Sequence, residues 1–208
     1  MEDNNNNQIR VPLVCTRGVI VFPQQEVIID VGRSKSVHAV EDAQSEFDSH
    51  VLLVSQRDMG TENPGIEDLY EVGALCMIKH IRRMDGYLRV KFSGLQRARI
   101  LSVTDEEHCM CADVELLEDE SGDTLEEMAL VRRLAKQLEN MDVLNQSIPK
   151  EMIHELSKGV SAQYMSDQIS QIFPFSVERR QKLLETTNIN ERLLLILQEM
   201  ESEKELSM

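Results

Sequence analysis

The stretch Glu118-Asp119-Glu120-Ser121-Gly122-Asp123 separates two parts of the sequence that follow different periodicities. It is charged, carries a glycine and lacks any apolar side chain, which is the composition of a connection rather than of an element. Before it, apolar runs are short and end at turn residues. Val19-Ile20-Val21-Phe22 stops at Pro23, Val27-Ile28-Ile29-Asp30-Val31 stops at Gly32, and Val51-Leu52-Leu53-Val54 is a third such run. After it, Leu125, Met128, Val131, Leu134, Leu138 and Met141 recur at the spacing of one helix face. The expected class is therefore α+β, with strands first and helices second.

Working outward in the first part, Leu75 to Ile81 and Leu88 to Phe92 flank Asp85-Gly86, a strong hairpin signal, so the two should pair antiparallel. Arg97 to Val103 and Cys109 to Leu117 bring the total to roughly six or seven strands. One helix is predicted among them, from about Ser34 to Phe47, with Ser34 as its cap. Residues 1–8 are polar and of low complexity, which predicts a disordered leader. The boundaries follow: a β domain over 9–118, a linker over 119–124 and a helical bundle over 125–208.

In the second part, Pro149 suits the first turn of a helix ending near Gly159. Further helices are predicted from Ser161 to Ile172 and from Val177 to Thr186. The last is long and starts at Asn188, with Glu191 completing a capping-box pattern. Leu193, Leu197 and Met200 share one face of it and are candidates for self-association. No stop signal follows, so the chain reads as a fragment of something longer.

The 208 residues are 41% apolar, enough for a real core, and carry a formal charge of −15 that argues against nucleic acid as a partner. No apolar run approaches the roughly 20 residues of a membrane span and no signal peptide opens the chain, so a cytoplasmic protein without a membrane partner is expected. Cys15, Cys76, Cys109 and Cys111 are too few and too irregular for a disulfide scaffold and read as reduced thiols.

Chemistry is mostly absent. The sequence contains no phosphate-cradling P-loop, no G-x-S-x-G elbow and no H-E-x-x-H pair. Cys109 and Cys111 share one strand face, yet two soft ligands without a second pair do not make a zinc site. No catalytic, cofactor or metal residue is therefore assigned. Seven basic residues lie between Lys79 and Arg99, against the acidic trend; they read as a solvated sheet face paired with carboxylates or, alternatively, as a groove for acidic peptide segments or RNA. Phe22 precedes Pro23, which cannot join a strand ladder. Ile20, Phe22 and Pro23 are thus candidates for an exposed apolar client contact, with core packing as the alternative.

Several segments, taken in order, resemble the amino-terminal region of the Lon family of ATP-dependent serine proteases. They are Val11-Pro12-Leu13 with Arg17-Gly18-Val19-Ile20-Val21-Phe22-Pro23, Val31-Gly32-Arg33-Ser34-Lys35-Ser36, Leu52 to Asp58, Asp68 to Gly73, Gly94 to Ile100, and Gln181 to Glu185 with Asn190 to Leu193. Cys15-Thr16 and the stretch from Ser102 to Cys111 depart from the pattern. The resemblance implies a PUA-like antiparallel β-barrel followed by a helical bundle that helps select damaged or unfolded proteins and supports a hexamer. It also implies that ATP, Mg and a Ser-Lys site belong to a parent enzyme, since none of those motifs is present. The expected function is client recognition without catalysis. The alternatives are a self-association module or a free-standing peptide- or RNA-binding PUA-like protein.

Overall fold

The computed structural model of the chain describes residues 7–139, 151, 154 and 161–206. Met141, the helix expected from Pro149 to Gly159 and most of the leader lie outside the described residues. The chain divides into two compact units between Glu118 and Asp119.

The first unit comprises β1 (Gln8–Thr16), β2 (Glu26–Val31), α1 (Ser34–Glu46), β3 (His50–Ser55), β4 (Val72–Arg83), β5 (Leu88–Asp105) and β6 (Met110–Leu117). The sheet runs β2-β5-β4-β3-β1-β6, and a further β5–β6 pairing closes a barrel from which β2 projects. Pairing is antiparallel except between β1 and β3, where Leu13 opposite Leu52 begins a parallel ladder. The chain returns to the sheet through α1, a crossover that sets β3 parallel to β1 and corrects the wholly antiparallel expectation. β3 reads as an unbroken apolar run because it is buried on both faces. Val51 and Leu53 join a core beneath α1 with Ala39, Val40 and Ala43, and Leu52 and Val54 join a second core on the other face.

β5 corrects a second expectation, for the segments 88–92 and 97–103 form one continuous strand. Its first half pairs with β2 and its second half with β6, while β4 spans the join. Two residues of β5 have no opposite number. Leu75 and Cys76 face Gln96 and Gly94, leaving Leu95 extra; Val114 and Asp113 face Ile100 and Ser102, leaving Leu101 extra. Each is a β-bulge, which breaks the alternation and turns its side chain outward; Leu95 and Leu101 are 39% and 48% exposed. In the β4–β5 hairpin the left-handed backbone falls on Gly86 (φ 81), as the Asp-Gly signal requires.

Val19 to Phe22 form no strand. Pro23 offers no N–H and Gln24 turns the chain with φ 63, so the segment is fixed by two backbone bonds to Gly94 instead, from Gln24 N–H and to Gln25 C=O, each 2.8 Å. The approach is so close that a Cβ on Gly94 would lie 2.1 Å from the Phe22 oxygen. Ser34 is the first helical residue rather than the cap; Arg33 occupies the cap position and makes no side-chain cap bond.

The second unit contains α2 (Thr124–Glu139), α3 (Ala162–Ile172), α4 (Val177–Glu185) and α5 (Ile189–Leu206). Ser161, Ser176 and Asn188 accept the capping bonds of the last three from Tyr164, Arg179 and Glu191 N–H. In α2 the buried stripe is Leu130, Leu134 and Leu138, rotated from the one expected, and Leu125 is 79% exposed. The stretch 119–124 is not a free linker. Arg192 of α5 is completely buried and donates to both Asp119 carboxylate oxygens (2.9 and 2.8 Å), to Ser166 Oγ (2.9 Å) and to Thr186 C=O (3.0 Å). Asp119 thereby fastens the start of the unit to its last helix.

Candidate functional site

The segment between β3 and β4 and the second half of β5 enclose an open groove of about 340 Å³. Its floor is held by backbone bonds. Arg57 N–H donates to Asp68 C=O (2.7 Å), Tyr70 N–H to Ser55 C=O (3.1 Å) and Ile100 N–H to Glu71 C=O (2.8 Å). Arg57 also donates through Nε to Leu69 C=O (2.9 Å), which places its guanidinium 5.0 Å from the centre of the Tyr70 ring. Leu101 enters the groove because the bulge turns it out, and Ile66, 46% exposed, meets it from a single 3-10 turn. Ile100 and Val103, both half-buried, extend the apolar lining. Glu67, Glu71 and Ser102 add polar groups to the lining, and the apolar side chains between them form a shallow surface that can hold apolar segments of many sequences. Sequence reading missed this groove, because a bulge shows only once the partner strands are known.

The three residues expected to form an exposed apolar contact are not at the surface. Ile20 is 5% exposed, Phe22 is fully buried and Pro23 is buried too, so the alternative of core packing describes them. The Phe22 ring sits against the buried Arg97 guanidinium, 5.9 Å from ring centre to Cζ. Leu193, Leu197 and Met200 are likewise buried inside the helical unit, where α5 packs on α2 and α3, and offer no face for self-association.

The basic stretch is drawn into ion pairs on the barrel surface. Arg83 meets Glu41 (2.9 Å), Arg89 meets Asp30 (2.7 Å), Lys91 meets Glu26 (2.5 Å) and Arg99 meets Glu115 (3.5 Å). The cysteine pair stands beside α1: the Cys109 and Cys111 sulfurs are 4.0 Å apart, and Cys109 Sγ donates to Asp42 Oδ2 at 3.3 Å. Burial, with Asp42 next, pushes the Cys109 thiol up to about 12, which disfavours the reactive thiolate. Among the described residues no three His, Cys, Asp or Glu side chains are placed to hold a metal ion, and no helix is long and apolar enough to cross a membrane.

Comparison with known proteins agrees with this architecture. Residues 10–202 match the family model of the ATP-dependent protease La (LON) substrate-binding domain. The chain is 33% identical over 207 residues to the Lon protease of Escherichia coli K12, covering 99% of this chain and 26% of that protein. It is 30% identical over 207 residues to the Lon protease of Bacillus thuringiensis, again covering 99% of this chain and 26% of the relative. It thus spans about a quarter of the length of the curated relatives it matches. Among solved structures, the N-terminal domain of the Mycobacterium avium complex Lon protease has the same fold with a TM-score of 0.77 at 18% identity, covering 93% of this chain and 98% of that one. The Lon N-terminal domain protein from Xanthomonas campestris gives 0.64 at 18% identity, covering 91% and 97%. The chain belongs to the Lon substrate-binding domain family.

Proposed function

We propose that this chain is the client-recognition region of a cytoplasmic, ATP-dependent Lon-type protease, and that the groove at Ile66 and Leu101 holds exposed apolar segments of unfolded or damaged proteins. The observation that carries the reading is the pair of bulky apolar side chains held in solvent by a bulge and a 3-10 turn, at 48% and 46% exposure, on a domain of the substrate-binding family. ATP, Mg and peptide hydrolysis belong to the parent enzyme, to which this region hands its clients. A groove that buries a few hundred Å² yields several kcal/mol at roughly 25 cal/mol per Å² before association costs, so a single copy binds with micromolar affinity at best. The copies of a hexamer would strengthen this through avidity.

Fluorescence anisotropy against one client in its unfolded and folded forms tests the reading. The unfolded form is expected to bind preferentially, and Ile66→Ser with Leu101→Ser to weaken it about tenfold with little change in thermal stability, since both side chains already face water. Equal binding of the two forms, or no effect of the double substitution, would reject the groove as the client surface. Leu125 and Met128, 79% and 47% exposed on α2, support a second reading in which the helical unit also mediates assembly. Sedimentation of Leu125→Ser tests it, with a loss of self-association expected.

A further inference from the structure

A second cleft in the barrel unit, about 440 Å³, lies between the end of β1 and β2, with Val14, Val19, Ile29 and Val31 on its walls. One end is built for an anion. α1 starts there without a side-chain cap and without an acidic residue in its first turn. Its first intrahelical bond runs from Val37 N–H to Arg33 C=O (2.9 Å), so the amides of Ser34, Lys35 and Ser36 precede it and form the positive end of the helix dipole. Ser36 lines the cleft, is only 7% exposed, and its hydroxyl has no hydrogen-bond partner among the described residues.

Two arginines complete this end. Arg17 and Arg33 both line this cleft, and burial, with the Arg17 charge next, holds the Arg33 guanidinium below its usual range. In a chain of charge −15, neither is paired with a carboxylate among the described residues; Arg33 donates instead to the neutral Gln56 Oε1 at 2.7 Å. The carboxylate lining the cleft, Asp30, is engaged at both oxygens by Arg89 (2.7 and 2.9 Å). The outer edge of β2 pairs with no other strand among the described residues.

We propose that this cleft binds the carboxyl-terminal residue of a client polypeptide, with the α-carboxylate on Ser36, Arg17, Arg33 and the α1 amino terminus. The terminal side chain lies among the valines and Ile29, and the residues before it extend along the free edge of β2. The apolar walls select a peptide end over inorganic phosphate, which the polar end alone would serve. The inference rests on the client-recognition reading and deepens it.

The test uses the full chain and a fluorescent hexapeptide ending in valine, with either a free carboxylate or a terminal amide. The free acid is expected to bind about tenfold tighter than the amide, and Arg17→Glu to remove that preference. Arg17 is exposed, so this change should leave the melting temperature intact; Ser36→Ala, which deletes a single hydroxyl, provides the second variant, with an expected loss of about threefold. Cys15 gives an independent readout, since it lines the cleft and burial pushes its thiol up to about 11. Its alkylation should rise roughly tenfold per pH unit up to that value, and the free-acid peptide should slow it about fivefold. Equal affinity for acid and amide, or an unchanged preference in Arg17→Glu, would overturn the proposal, as would displacement of the peptide by phosphate at lower concentration than by the unlabelled acid. An unfolded client with both ends blocked separates the two readings: if it binds while acid and amide do not differ, only the cleft is rejected, and if it fails to bind as well, client recognition itself is rejected.

Discussion

Both units carry exposed ion pairs, and the helical unit adds a buried one. On the barrel, ion pairs lie at the surface, as in Arg10 with Asp113, where the side chains are 43% and 44% exposed. In the helical unit the central pair is Arg192 with Asp119, at 0% and 6%. Water screens the first kind, which adds little to stability. The second is shielded, and removing one partner leaves a buried charge without its main counter-ion. The barrel therefore depends on apolar burial and backbone registry, whereas the helices combine an apolar core with a buried polar junction.

The sharpest way to break this contrast is Asp119→Ala. It should cost the helical unit up to about 3–5 kcal/mol by removing the bidentate partner of the buried Arg192, which keeps only the longer Asp167 contact at 3.8 Å, seen as faster amide exchange in α5 with the barrel strands unchanged. Equal loss of protection in both units would contradict the division. Gly94→Ala tests the barrel in turn. The new methyl collides with the Phe22 backbone oxygen, and a loss of about 1–3 kcal/mol in denaturant unfolding is expected. The smallest effect should come from the Arg10–Asp113 pair, for which a double-mutant cycle should give about 0.2–1 kcal/mol at low salt, falling as salt is added.

Much of this architecture is legible in residue order, and the rest is hidden for identifiable reasons. The change of periodicity at Glu118 and the cap at Asn188 depend on near neighbours and can be read directly. Phe22 before Pro23 is compatible with core packing and with an exposed aromatic, and the sequence alone does not decide, because it does not show that Gly94, more than seventy positions later, opens a space for its backbone. Leu193, Leu197 and Met200 were recognised as a stripe, but a stripe does not reveal whether its partner is the same chain or another. Arg192 looks like one cation among 22 Lys and Arg residues, since its burial is created by Asp119 and Ser166 from distant parts of the unit. The two bulges on β5 are invisible for the same reason, and with them the groove that Leu101 lines.

The pairing of Gln8 with Glu115 sets an order in time. The first strand of the barrel finds one of its two neighbours only in the last, so its free edge cannot be covered before β6 has left the ribosome. At about 5–20 residues per second, those hundred or so intervening residues leave β1 with at least one edge unpaired for roughly 5–20 s of each round of synthesis. A domain of the Lon substrate-binding family thus begins as an unfolded chain, with an open strand edge of its own to protect.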